Sequence, residues 1–237
     1  MNYILNVIRR NIPNCITCMN ILAGLLSIVC SIQGESSLWG LKGYEWGYIF
    51  IGIAAVADFL DGFSARLLHA YSEMGKEMDS LSDLVSFGVA PALAVYTCME
   101  LNGAEWMKWL ALIIPVAGAL RLARFNVDTR QTENFIGLPI PANALFWIGY
   151  TSIVYSGSTL LSTPWIFVIA VLLESWLMVS PLRLFSLKFK TWGWKGNEFR
   201  WILILTAIGL IFCMGVEGLM WLIIVYVAYG IFDGSKK

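Results

Sequence analysis

Eight apolar segments occupy most of the chain, at roughly 14–33, 46–67, 79–99, 106–125, 139–157, 164–182, 200–214 and 216–232. A helix needs ~20 apolar residues to cross ~30 Å of hydrocarbon, and six of the eight come close to that length. Composition agrees. The 237 residues are 58% hydrophobic and 14% charged, against about 45–50% and about 25% in soluble domains. This excludes a disordered chain, a basic nucleic-acid-binding domain and a secreted disulfide scaffold. The expectation is an all-α polytopic transmembrane helical bundle of about eight spans, forming a single domain over 1–237. The last two segments are short and meet at Gly215–Gly218. They read as a tight hairpin or as one kinked span. The hairpin is favoured, because 200–232 is too long for one straight crossing. The first segment is too long for a signal-peptide core and lacks a clear cleavage site, so it reads as a retained span.

Sixteen basic and sixteen acidic residues give a formal net charge of zero, but they are unevenly placed. With the N-terminus inside, the inner loops hold Arg9, Arg10, Arg66, Lys76, Arg121, Arg124, Arg130, Arg183, Lys188, Lys190, Lys195, Arg200, Lys236 and Lys237. The outer side holds Lys42 and Lys108. Fourteen against two is a strong positive-inside asymmetry. It fits both termini in the cytoplasm, for eight spans or for six. Trp39, Trp46, Trp106 and Trp165 fall near the expected outer boundaries, as an aromatic belt does.

Spans two and three carry four acids: Asp58, Asp61, Asp79 and Asp83. Each acid at mid-bilayer costs about 2.5–3.5 kcal/mol on insertion scales, so a cavity, a cation or a metal must compensate them. Asp79 is placed near a helix start, where water reduces the cost. Asp58 and Asp61 are three apart and share a helix face, as do Asp79 and Asp83, four apart. With 67–78 as a short cytoplasmic connection, the two helices read as an antiparallel pair. At 1.5 Å rise, Asp58 lies about 12 Å from Arg66 and Asp83 about 10 Å from Lys76, so the pairs meet at similar depth near the inner leaflet. Converging carboxylates suit hard divalent ions such as Mg²⁺ or Mn²⁺, which are often shared with phosphates. Two ions about 3.5–4 Å apart would suit displacement at phosphorus, or one carboxylate could act as general base. Gly62 and Ala65 beside this face admit a ligand or another helix, and Arg66 is a cation placed for phosphate.

The stretch Asp58-x2-Asp61-Gly62-x2-Ala65-Arg66-x8-Gly75-x3-Asp79-x3-Asp83 resembles the signature of the CDP-alcohol phosphotransferases at every defining position. Further blocks resemble the bacterial phosphatidylserine synthase branch of that family. They are Ile12-Pro13-Asn14-x2-Thr17-x2-Asn20, the run from Asp79 through Ser86-Phe87-Gly88 to Pro91, Arg121-Leu-Ala-Arg124-Phe125-Asn126, Phe135-x-Gly137-Leu138-Pro139-x-Pro141, and Met178-Val-Ser180 with Arg183 and Lys188. The similarity runs from about 12 to 190.

The resemblance implies a six-helix family core plus two helices, a homodimer, and an integral protein of the bacterial plasma membrane with its site facing the cytoplasm. It implies transfer of a phosphatidyl group from CDP-diacylglycerol to L-serine, with two divalent ions, Mg²⁺ or Mn²⁺. Asp58, Asp61, Asp79 and Asp83 become metal ligands, with Asp83 also the catalytic base. Gly62, Ala65, Arg66, Gly75, Asn14 and Thr17 line the CDP site. Arg121 and Arg124 are available for serine's carboxylate, and Asn126, Ser86 or the site carboxylates for its ammonium; the bland reading of the arginines is as snorkelling anchors. The same chemistry with glycerol 3-phosphate, an inositol phosphate or an archaeal ether lipid is the nearest alternative, and a cation transporter the distant one. No nucleic acid is expected as partner. Cys15 and Cys18 form a lone CxxC without the partners a zinc site needs, and His69 reads as a solvated loop residue. Glu174, in span six, has no role in these motifs; intramembrane acids are functional candidates by default.

Overall fold

The computed structural model describes residues 2–127, 134–185, 193 and 197–234. Of the residues singled out above, Arg130, Lys188, Lys190, Lys195, Lys236 and Lys237 lie outside these. All eight apolar segments are helical, so the all-α expectation holds, with two short strand pairs added. The contacts fall into two compact units, Met1–Thr97 and Cys98–Lys237.

The first unit begins with α1 (Asn2–Ile32), followed by a minimal hairpin, β1 (Ser37–Leu38) and β2 (Leu41–Lys42), and then α2 (Gly43–Leu67). Small residues set how closely α1 and α2 approach. Ser27 Oγ donates to Gly47 O at 2.9 Å. A Cβ on Gly43 would sit 2.5 Å from Cys30 O. Ala54 and Ala57 are buried in α2. Small faces of this kind let helix backbones meet. α2 closes with a left-handed residue, His69 at φ +49°, and Ala70 N–H donates back to Ala65 O at 2.9 Å. That closure satisfies a last-turn carbonyl and reverses the chain. His69 is exposed, as expected. Ser72 then caps α3 (Glu73–Asp83) by accepting from Gly75 N–H at 2.9 Å.

α3 runs without interruption into a π-helical stretch, Leu84–Val89, and then α4 (Ala90–Leu101), inside which the unit boundary falls. Ala90 N–H bonds Val85 O, five residues back. The wide turn precedes Pro91, which has no N–H and would crowd the carbonyl four residues back in a regular helix.

In the second unit a 3₁₀ stretch, Glu105–Leu112, leads into α5 (Ile113–Val127), β3 (Asn134–Ile136), α6 (Ile140–Tyr155), α7 (Pro164–Val179) and β4 (Arg183–Phe185). Its core holds Trp147, Phe167 and Tyr150 in edge and tilted contacts. The chain ends in α8 (Glu198–Met214) and α9 (Gly218–Gly234). Gly215, at φ +59°, breaks the helix. Phe199 and Tyr229 then meet at 5.6 Å between ring centroids. Rings thirty residues apart can touch only if the chain doubles back, so 198–234 is a hairpin and not a kinked rod.

Among the described residues, five stretches are long and apolar enough to cross a membrane: Asn11–Ile32, Gly43–Leu67, Glu73–Leu101, Glu105–Val127 and Glu198–Ile231, the last folded back at Gly215. α6 and α7 have 16 residues each, about 24 Å at 1.5 Å rise.

Candidate active site

The signature aspartates occupy two elements of the first unit. Asp58 and Asp61 lie two to three turns from the end of α2, and Asp79 and Asp83 lie on α3. α3 starts at Glu73, earlier than the apolar pattern suggested, because the polar turn 73–78 is held by the Ser72 cap and not by burial. Asp79 is therefore in the second turn of a helix, not at its start. α2 and α3 each pack mainly on α1 and not on one another. The space left between them holds the acids.

Asp58, Asp61 and Asp79 each place a carboxylate oxygen within 4.8 Å of the other two. Asp58 also reaches hydrogen-bonding distance of both Asp79 and Asp83. All four signature aspartates thus converge. At an effective dielectric near 20, two like charges at this spacing repel by about 3–4 kcal/mol. Such a cluster fits a divalent cation with oxygen ligands. Thr17 from α1 supports it. Its hydroxyl donates to Asp61 Oδ2 at 2.7 Å and also lies 3.0 Å from Pro13 O. Thr17 and Asp61 are both buried, at 3% and 5% exposure, so the bond fixes Asp61 out of bulk water.

Beside the acids lies a cavity of about 210 Å³, lined by residues that include Asn14, Thr17, Asp61, Gly62, Ala65, Gly75 and Asp79. Five of the six residues expected for CDP are there. The sixth, Arg66, is exposed at the end of α2 and is not part of the lining. A Cβ on Gly62 would meet nothing within 4 Å, so this glycine opens onto space for a ligand and not onto another helix. A Cβ on Gly75 would sit 2.9 Å from Ser72 Oγ and 3.2 Å from Asn14 Oδ1, so Gly75 keeps the α3 cap close to α1. The lining also includes Pro13, from the Ile12-Pro13-Asn14 block, and Ala70, Tyr71, Ser72 and Lys76, which motif reading passed over. Ala70, Tyr71 and Ser72 fall in the unspecified spacer before Gly75, and Lys76 just after it, so spacing alone carried no signal for them. Lys76 brings a cation and Tyr71 an aromatic face.

The residues suggested for serine are divided between the units. Ser86 is fully buried in the first, and its hydroxyl donates to Asn20 O at 3.0 Å. Arg121, Arg124 and Asn126 lie on α5 in the second. Arg121 is 7% exposed, with its guanidinium carbon 5.8 Å from the Phe125 ring centre. Arg124 is exposed and donates to Val179 O at 2.8 Å, at the end of α7. The Gly137–Pro141 block has a structural part. Gly137, at φ +77°, packs against the Met178 carbonyl, and Leu138 N–H donates to Leu177 O at 3.0 Å. Cys15 and Cys18 are free and exposed. Glu174 is buried in α7 at 4% exposure.

The family model for CDP-alcohol phosphatidyltransferases matches residues 10–176. A protein of Helicobacter pylori named CDP-diacylglycerol–serine O-phosphatidyltransferase is 32% identical over 224 residues, covering 92% of this chain and 89% of that one. Proteins of the same name from Methanocaldococcus jannaschii and Bacillus subtilis are 39% identical over 145 residues and 40% identical over 131. Those alignments cover 61% and 55% of this chain, and 62% and 69% of the relatives. The aspartates that meet in space are those of the matched signature, and the match spans both units: the chain belongs to the CDP-alcohol phosphatidyltransferase family.

Proposed function

We propose that this chain transfers the phosphatidyl group of CDP-diacylglycerol to the hydroxyl of L-serine, giving phosphatidylserine and CMP. The observation that carries the reading is the carboxylate cluster opening onto a cavity lined by Asn14, Thr17, Gly62, Ala65 and Gly75. The names of the relatives supply the acceptor.

Asp58, Asp61 and Asp79 are oxygen donors close enough to share a divalent ion, with Asp83 adjoining. Mg²⁺ or Mn²⁺, in our reading as a pair, would neutralise the diphosphate and stabilise charge developing at phosphorus. The protein's own groups supply the rest. Thr17 holds Asp61 in place, and the open face at Gly62 leaves room for the nucleotide. Asp83 takes the proton of the serine hydroxyl as its oxygen bonds to phosphorus. The phosphorus–oxygen bond to CMP breaks, and CMP leaves with that electron pair.

The proposal extends to setting. The chain sits in a bacterial plasma membrane with eight spans, both termini and the acid cluster on the cytoplasmic side, and it works as a homodimer. Native mass in detergent checks the dimer. The chemical test is an acceptor screen. Protein in detergent receives CDP-diacylglycerol, Mn²⁺ and one of serine, glycerol 3-phosphate or inositol. CMP release with serine is expected. Release only with another acceptor would overturn the choice of serine.

A further inference from the structure

We propose that Tyr71 is the base-binding residue of the cavity beside the acids: its ring stacks on the nucleobase of the CDP-linked substrate. This rests on the phosphatidyl-transfer reading above and deepens it.

The cavity is layered along three helices. At the acid end Thr17, Asp61 and Asp79 line it together, with Thr17 bonded to Asp61 at 2.7 Å. α1 runs antiparallel to α2, as the bonds from Ser27 to Gly47 and from Thr17 to Asp61 show. It runs parallel to α3 and its π continuation, where Ser82 faces Thr17 and Ser86 faces Asn20. Four residues before Thr17, after Asp61 and before Asp79 therefore fall on the same side of the acids, one turn or about 6 Å away. Those positions are Pro13, Ala65 and Gly75, and all three line the cavity. This second layer carries neither charge nor bulk. Past the end of α2 the lining continues with Ala70 and Tyr71.

Tyr71 stands between two anchored neighbours. Ala70 is buried, and its N–H donates to Ala65 O at 2.9 Å. Ser72 accepts from Gly75 N–H at 2.9 Å. Tyr71 itself is 68% exposed, although it forms part of the cavity wall.

A CDP-linked substrate is graded in the same order: diphosphate, sugar, flat aromatic base. Divalent ions held by the carboxylates take the diphosphate. The small second layer leaves room for the sugar, and the base then falls at the Tyr71 end. Every base has a π face, so an aromatic side chain can hold it by stacking. A tyrosine at a membrane boundary can also be a plain interfacial anchor, but an anchor has no effect on nucleotide affinity. The base is remote from the reacting phosphorus, so stacking contributes equally to ground and transition states and is read in KM and not in kcat.

The test uses the full chain in detergent, with Tyr71→Ala, Tyr71→Leu and Tyr71→Phe. Calorimetry gives CDP affinity with Mn²⁺ present, and steady-state turnover with CDP-diacylglycerol and serine gives kcat, KM and inhibition by CMP. In Tyr71→Ala, CDP and CMP are expected to bind about 5–100-fold more weakly, the worth of one base–aromatic stack. KM for CDP-diacylglycerol rises with them, while kcat stays within about threefold. Tyr71→Leu, apolar but without a ring, loses most of the affinity, and Tyr71→Phe keeps it within about twofold. Wild-type CDP affinity in folded Tyr71→Ala overturns the proposal, and so does wild-type affinity in Tyr71→Leu. A Tyr71→Phe protein as weak as Tyr71→Ala would assign the effect to the hydroxyl and overturn stacking. If Tyr71→Ala does not fold, Tyr71→Leu and Tyr71→Phe carry the same comparison. A wild-type chain that binds no CDP with Mn²⁺ overturns the transfer reading beneath it, which is a different failure.

Discussion

Asp83 and Thr17 show how single side chains divide the labour at the cluster. Asp83 sits on the last turn of α3, adjoining Asp58, and is assigned the proton of the attacking hydroxyl. Asp83→Asn keeps the shape and removes the base. CMP formation should fall about 10²–10⁴-fold, the usual worth of general base catalysis. Mn²⁺-dependent CDP binding by calorimetry should stay within a few-fold. Near-normal turnover would move the base elsewhere. The same protein separates transfer from a cation pathway, since the transfer reading expects no ion flux in proteoliposomes of either form. Thr17→Val tests support instead of chemistry. It removes the 2.7 Å bond to buried Asp61 and keeps the volume. A hydrogen bond to a charged group is worth about 1.5–3 kcal/mol, so the Mn²⁺ concentration for half-maximal activity should rise about tenfold or more, with Tm little changed.

Two glycines of α2 separate helix packing from ligand space. Gly47 faces α1, where an added Cβ would collide with Ser31 Oγ, while Gly62 faces open space. Gly47→Leu should destabilise the protein by about 1–3 kcal/mol through overpacking and lower Tm before it alters KM. Gly62→Leu should leave Tm near wild type and raise KM for CDP-diacylglycerol at least tenfold, measured on the same preparations. Equal effects on Tm would mean that Gly62 serves packing after all. The element scale also marks what the sequence could reveal. Asp58, Asp61, Asp79 and Asp83 stood out because acids are costly in apolar helices and their spacing put them on shared faces. The break at Gly215 was legible from length. The earlier start of α3 was hidden, because 73–78 is polar and only the Ser72 cap holds it in a helix. The π stretch Leu84–Val89 was hidden as well, since one widened turn leaves apolar periodicity almost unchanged. Tyr71 and Lys76 were missed because a cavity wall assembled from a loop and a helix start has no fixed spacing.

Across the whole molecule, the charge asymmetry and the position of the acid cluster make one statement about sidedness. The two basic residues assigned to the outer side are both ion-paired: Lys42 with Glu35 at 3.2 Å, and Lys108 with Glu100. The positive-inside rule counts basic residues and not net charge, so the asymmetry of fourteen against two carries the expected sidedness with or without these pairs. The arrangement makes a sharp topological prediction. Cys15, Cys18, Cys30, Cys98 and Cys213 are all free thiols and would first be replaced by serine or alanine. Single cysteines then go in at exposed positions: Ser36→Cys between α1 and α2, Glu73→Cys at the start of α3, and Val216→Cys at the turn between α8 and α9. A membrane-impermeant maleimide should label Ser36→Cys and Val216→Cys in intact spheroplasts, and Glu73→Cys only in inverted vesicles. Glu73 lies two turns from Asp79, so its labelling reports the side on which the acid cluster opens. Labelling of Glu73→Cys from outside would place the chemistry on the wrong face for a cytoplasmic amino acid. Labelling of Val216→Cys only from the inner side, with the other two as expected, would leave the cluster where it is proposed and reduce the eight spans to six, because the hairpin of α8 and α9 would then not cross.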